Sequence, residues 1–193
     1  MVRCRVLLPS PWHACRRSIR ACGVPWPQAV RGAGSEGPTR PKSLSYGLDH
    51  PYTQTYMRAL HKSRSGSSAE ALVDYQRALD MALEDGGPQC LEHATVMIDM
   101  ARVHATMGNP GLAVECAGKG LPVFERYWGR GSRIYAEAAY DLARYYALFG
   151  KPRDALDMLY ECRAAYLRHL GPDHPKTAQL LRTIQILERR TGG

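Results

Sequence analysis

The chain has 193 residues, enough for one ordinary domain with or without a tail. Hydrophobic residues make up 45% and charged residues 23%, a globular balance, and no apolar run approaches the roughly 18 residues that span a membrane. Six cysteines do not make a disulfide scaffold, and two phenylalanines among many Ala, Leu, Arg and Tyr argue against an all-β sandwich. The net charge of +8 with a pI near 9.3 invites a nucleic-acid reading, so the first question is where that charge sits.

It sits at the N-terminus. Residues 1–48 carry eight basic side chains (Arg3, Arg5, Arg16, Arg17, Arg20, Arg31, Arg40 and Lys42) and one acid, Glu36, a net of +7. Residues 49–193 carry the other 18 basic and 17 acidic side chains, a net of +1. Pro9, Pro11, Pro25, Pro27, Pro38 and Pro41, with a scatter of glycines, leave no room for a long helix. Residues 1–48 therefore read as a basic, mostly disordered tail. The window Trp12–Cys22 could form a short helix, with Trp12, Cys15, Ile19 and Cys22 opposite Arg16, Arg17 and Arg20. An Arg-rich, acid-poor segment of this kind has features of a mitochondrial presequence, although it is poor in serine and broken by proline. The alternative is an extension ahead of the domain proper.

The remainder, 49–193, repeats with a period of 42. Gly66, Gly108, Gly150 and Gly192 form one series and Gly87, Gly129 and Gly171 another. Ala59, Ala101 and Ala143 keep the same period, as do Ala71, Ala113 and Ala155, and the small residues Ala78, Gly120 and Cys162. Between the glycines the pattern predicts paired amphipathic helices: Tyr52–Ser65 and Ser68–Leu83, Leu91–Met107 and a partner running to Tyr127, then Ile134–Phe149 and Arg153–Leu170. A last helix, Thr177–Arg190, stands alone. Each left-handed glycine closes a helix, and Pro110 and Pro152 open the next. The small residues fall where helices must approach closely. The fold expected is all-α, about three and a half antiparallel hairpins.

These residues resemble a known family. Ala69-Glu-Ala-Leu-Val-Asp-Tyr-Gln-Arg-Ala-Leu79 and Pro152-Arg-Asp-Ala-Leu156 look like the second helix of a tetratricopeptide repeat. Leu170-Gly-Pro-Asp-His-Pro-Lys-Thr177, with a second copy at Gly47-Leu-Asp-His-Pro-Tyr-Thr53, resembles the linker of the 42-residue class found in kinesin light chains and nephrocystin-like proteins. The middle linkers, Asp85–Cys90 and Tyr127–Ser132, lack Asp-His-Pro. The resemblance implies a right-handed superhelical solenoid whose first helices line a concave, partner-binding groove. Carried onto this chain residue by residue, the groove positions include Tyr56, Ile98, Arg102, Tyr140, Arg144 and Arg182. Tyrosine and arginine are favoured anchors, and arginine grips carboxylates bidentately. A second reading pairs Arg102 and Arg144 only with Asp99 and Asp141 on their own helices.

The expected function is a protein–protein adaptor or assembly scaffold that binds an extended or helical, acidic–hydrophobic segment. The alternative is a subunit of an organellar ribonucleoprotein or membrane complex whose basic tail touches RNA or anionic lipid. Nucleic acid is not expected elsewhere, although Arg126–Arg133 is a basic, aromatic linker. No phosphate loop, nucleophile elbow or His-Glu-x-x-His is present, so neither an enzyme nor a cofactor is expected. Cys90-x-x-His93 is the one ligand-like spacing, and it lacks two further ligands. Cys116 and Cys162 read as apolar fillers. The expected location is cytoplasmic, or mitochondrial if the tail is a presequence. The exposed edge of the first hairpin is a candidate homodimer contact.

Overall fold

A computed structural model describes residues 46–192. The expected tail and its Trp12–Cys22 window lie outside the described residues, apart from Tyr46, Gly47 and Leu48. Among the described residues there are seven helices and no strand: α1 (Pro51–Arg64), α2 (Ser68–Gly86), α3 (Leu91–Thr106), α4 (Pro110–Trp128), α5 (Arg133–Leu148), α6 (Pro152–Leu170) and α7 (Pro175–Thr191). Each packs on the next, and the odd-numbered helices α1, α3 and α5 also touch in series. This is the expected solenoid of three hairpins and a half. No helix of the described residues is long and apolar enough to cross a membrane.

The turns explain the period. Within each hairpin the glycine takes a left-handed conformation, φ +89° at Gly66 and +78° at Gly108 and Gly150. At the second hairpin Gly108 N–H bonds the Ala105 carbonyl and Asn109 N–H bonds that of His104, at 3.2 and 2.9 Å. Gly150 and Lys151 repeat both bonds on Ala147 and Tyr146. This pair of bonds satisfies carbonyls that the helix end leaves open, at a backbone angle that side-chain-bearing residues resist.

The three linkers between hairpins, and the segment leading into the first, all end in a side-chain cap, but by different chemistry. His50 and His174 accept the Tyr52 and Lys176 N–H at Nδ1, at 3.3 and 3.1 Å, ahead of Pro51 and Pro175. Where Asp-His-Pro is missing, the Cys90 sulfur accepts from His93 N–H and the Ser132 hydroxyl from Tyr135 N–H. The capping residue is extended in every case, so the middle linkers enter their helices with the same geometry.

The small residues lie at the crossings. Ala59, Ala101 and Ala143, like Ala71, Ala113 and Ala155, are fully buried. Gly118 and Gly120 differ from one another. A Cβ on Gly120 would lie 2.9 Å from the Ala94 carbonyl oxygen, whereas one on Gly118 meets nothing within 4 Å. Gly120 is the one of the two that provides a close approach between helices. Gly118 instead stands four residues before Pro122, whose ring and missing N–H interrupt α4.

The outer edge of the first hairpin replaces apolar core with charge. Arg58, Lys62 and Asp74 hold the places occupied by Met100, His104 and Cys116 in the second repeat and by Leu142, Tyr146 and Met158 in the third. Asp74 is buried and takes two bonds from the Arg58 guanidinium, at 2.9 and 3.0 Å, and the Lys62 ammonium at 2.9 Å. The Arg58 and Lys62 bonds hold its carboxyl at about 2, below the ordinary value of 3.8. A depressed carboxyl stabilises the fold above its unfolded value and loses that effect as pH falls through the folded one. Asp74→Asn is therefore expected to cost about 1 kcal/mol at neutral pH, a modest figure because both cations reach solvent. In urea titrations at stepped pH the gap to the parent should close between about 4 and 2. A gap independent of pH would show that the ion triad is not its source.

Candidate partner-binding groove

The odd-numbered helices α1, α3 and α5 touch in series, and a polar ladder runs along them from α1 to α5. Tyr56 of α1 donates its hydroxyl to Asp99 of α3 at 2.5 Å. Arg102, one turn on, returns to Asp99 at 2.7 Å and crosses to Asp141 of α5 at 3.1 and 3.3 Å. Arg144 then stands 3.7 Å from Asp141. The 42-residue period places Asp99 and Asp141 at the same point of successive helices, so one arginine can bridge two repeats.

Burial shapes the electrostatics of this ladder. Asp99 is 8% exposed, and burial pushes its carboxyl up, while the Tyr56 hydroxyl and Arg102 act in the opposite direction. Burial also raises the Tyr56 hydroxyl, aided by the Asp99 charge. Tyr56 thus remains a neutral donor to the Asp99 carboxyl.

The six candidate residues occupy different environments. Ile98 is buried, with its side chain against Gly120 of α4. Tyr140 is buried against Tyr166 of α6, their rings 5.9 Å apart. Tyr56 is half-buried and bonded to Asp99. Arg102 is engaged by two carboxylates. Arg144 and Arg182 are exposed: the first keeps a single, longer ion pair, and the second has none among the described residues. In the α7 register Thr183 takes the place of Asp141, so the ladder has no carboxylate to continue onto. Ile186, at the register of Arg144, is 52% exposed. The C-terminal part of the groove is therefore cationic with an exposed aliphatic residue, and the N-terminal part is internally neutralised.

The links Tyr56–Asp99 and Arg102–Asp141 join residues 43 and 39 apart, and a helix-by-helix reading did not find them. The repeat register contained the signal, because it aligns Asp99 with Asp141 on either side of Arg102.

Other sequence candidates have structural partners. In the Arg126–Arg133 linker, Arg130 bonds Glu125 and Arg133 bonds Glu137, while the Gly131 carbonyl lies 2.8 Å from His169 Nε2. Cys90 caps α3, and His93 contributes its backbone N–H. Among the described residues no group of three or more His, Cys, Asp or Glu converges as metal ligands would. Cys162 is buried and its thiol is pushed up to about 12 by that burial, which suits an inert filler.

Family models described as "Tetratricopeptide repeat" match residues 51–126 and 136–176. No curated protein matches the chain by sequence. Among solved structures, BtubC (BKLC) from P. vanneervenii superposes with a TM-score of 0.67 at 20% identity, over 73% of this chain and 56% of that one. The chain thus spans little more than half the length of that relative. The nearly identical tetratricopeptide-like repeats of a kinesin-light-chain-type protein from Podosopora anserina give 0.66 at 16% identity, over 75% and 69% of the two chains. The translocator chaperone SycD of the Yersinia enterocolitica type III secretion system gives 0.59 at 12%, over 78% and 92%. At these identities the likeness is one of fold.

Proposed function

The chain belongs to the tetratricopeptide repeat family, and from that premise we propose that it is a non-enzymatic adaptor. Its groove takes an acidic–hydrophobic segment of a partner protein at the C-terminal end. The observation that carries this reading is the unequal use of the concave arginines. Arg102 is engaged by two aspartates, whereas Arg144 keeps one longer ion pair and Arg182 none among the described residues, and Ile186, one turn beyond Arg182, is exposed. A planar guanidinium with free donors matches a carboxylate bidentately, and an exposed aliphatic neighbour adds an apolar contact.

The test uses peptide arrays that combine Asp or Glu with Leu or Trp, followed by anisotropy titration of the best binder. Arg144→Glu with Arg182→Glu is expected to weaken binding about 100-fold, since each hydrogen bond to a charged group contributes about 1.5–3 kcal/mol. Neither residue is needed to hold the hairpins together, so the thermal melt should stay with the parent. Undiminished affinity of the double variant would remove the proposal. Arg102→Glu is the wrong probe, because it perturbs the ladder itself.

A further inference from the structure

Glu92 stands in the first turn of α3 and is 3% exposed, yet both of its carboxylate oxygens are buried without a hydrogen-bond partner. The repeat register makes this burial unusual. The equivalent residues are His50, Ile134 and Lys176, and the last two are exposed. A buried, unpaired carboxylate is costly, and a cation brought to it offsets that cost.

Two tyrosines surround the site. Tyr52 stands where the other repeats have Ala94, Ala136 and Ala178, and its hydroxyl donates to the Glu92 carbonyl at 3.4 Å. Tyr46 stacks on His50 with ring centroids 4.0 Å apart, and lies 5.7 Å from the Tyr52 ring. Its hydroxyl donates to Asp85 of α2 at 3.0 Å. Burial, then the Asp85 bond and charge, then the Glu92 charge push that hydroxyl up to about 12. Carboxylates of two helices therefore act on one tyrosine.

The negative charge of this corner is uncompensated. Residues 46–57 and 78–101 hold six acids, Asp49, Asp80, Glu84, Asp85, Glu92 and Asp99, and no Lys or Arg. Asp99 is engaged by Arg102, and the other five have no ion pair among the described residues. Burial and the Lys119 charge lower His93, but the Lys119 ammonium is taken by Glu115 at 2.6 Å.

Tyr46 is also where the chain enters the described residues. The segment bonded to it, 38–45, reads Pro-Thr-Arg-Pro-Lys-Ser-Leu-Ser, with two cations and no acid. Lys42 is four residues from Tyr46 and Arg40 six, spans of at most about 14 and 21 Å. A tether this short makes their encounter with the corner intramolecular. Arginine suits the site, because its planar guanidinium pairs with a carboxylate bidentately and stacks on aromatic faces.

We propose that residues 38–45 dock on the corner between α2 and α3, with Arg40 meeting Glu92 among the tyrosine rings and Lys42 meeting Asp85. The contact is separate from the groove and supplies the partner that Glu92 lacks.

Limited trypsin digestion of the full chain tests it. Trypsin cuts after Lys42 but not after Arg40, which Pro41 follows, and the Arg31–Gly32 bond serves as the reference. Glu92→Gln keeps the shape of the side chain. It is expected to speed cleavage at Lys42 about tenfold relative to the reference, the effect of one hydrogen bond to a charged group. Arg40→Gln should do the same, and the double variant should be no faster than either single one. Equal cleavage of the parent and Glu92→Gln overturns the proposal. So does protection of Lys42 that falls on dilution, which assigns the corner to the segment of a second copy. Urea unfolding gives a second readout with a diagnostic sign. Glu92→Gln should lower the midpoint of the parent but not that of Arg40→Gln. A midpoint raised in both backgrounds means that the buried carboxylate has no cation and the segment does not dock.

Discussion

Gly120→Val is expected to destabilise the array by about 3 kcal/mol, and Gly118→Ala, two residues away on the same helix, to stabilise it by about 1 kcal/mol. A Cβ at 120 lies 2.9 Å from the Ala94 carbonyl oxygen and 3.1 and 3.2 Å from Ile98 Cγ1 and Cδ1. A side-chain methyl could rotate away, but a backbone carbonyl inside α3 cannot. The two helices must separate, and the contacts of the buried Ile98 are lost with them. At 118 the added methyl meets open space, so only the lower conformational freedom of alanine in the unfolded chain is felt. Urea denaturation followed by circular dichroism reads both variants. If Gly120→Val melts with the parent, α3 and α4 do not cross at this residue.

Arg102→Ala is expected to cost about 2 kcal/mol at neutral pH, with a characteristic pH dependence. The variant leaves Asp99 and Asp141 without the cation that joins them. The cost stays below that of a fully buried pair because the arginine is half exposed. Asp99 is already pushed up by burial, and losing Arg102 pushes it further. A carboxyl raised in the folded state contributes stability below its unfolded value and loses it as pH rises through the folded value. Arg102→Ala should therefore approach the parent near pH 4 and fall behind toward pH 7. The gap thus closes toward acid, as it does for Asp74→Asn, but in a higher pH window. A pH-independent deficit would mean that packing of the arginine stem, not its charge, is what the variant removes.

The architecture was legible because backbone geometry leaves a mark in sequence. Gly66, Gly108 and Gly150 recur where a left-handed residue is required, and Ala101 and Ala143 recur where backbones cross. Helix type followed from these marks. The groove was less legible for a specific reason. Counting along one helix put Ile98 and Tyr140 beside Arg102, but burial depends on the neighbouring helix. Gly120 lets Ile98 sink against α4, and Tyr166 covers Tyr140 from α6. The pairing of Arg102 with Asp99 could be read from their spacing of three. The bridge to Asp141 could not, because it exists only once two repeats are stacked in register. Likewise Cys90 and Ser132 do not look like His50 and His174, although all four supply an acceptor to the first turn of a helix.

The ladder ends where Thr183 takes the aspartate's place, and this gives the solenoid two mechanical characters. The α1–α3 and α3–α5 junctions are cross-braced on the concave side by side chains that must break an ion pair or a hydrogen bond before the curvature can change. The α5–α7 junction lacks that brace at the matching position and is tied instead by Lys176 of α7 to Glu137 of α5, 2.9 Å apart. A partner that changes the curvature there has this partly exposed ion pair to break, whereas in the other half it must break into the buried Asp99. Elastic give then resides in the C-terminal half of the repeats, with the more deeply braced half acting as its anvil.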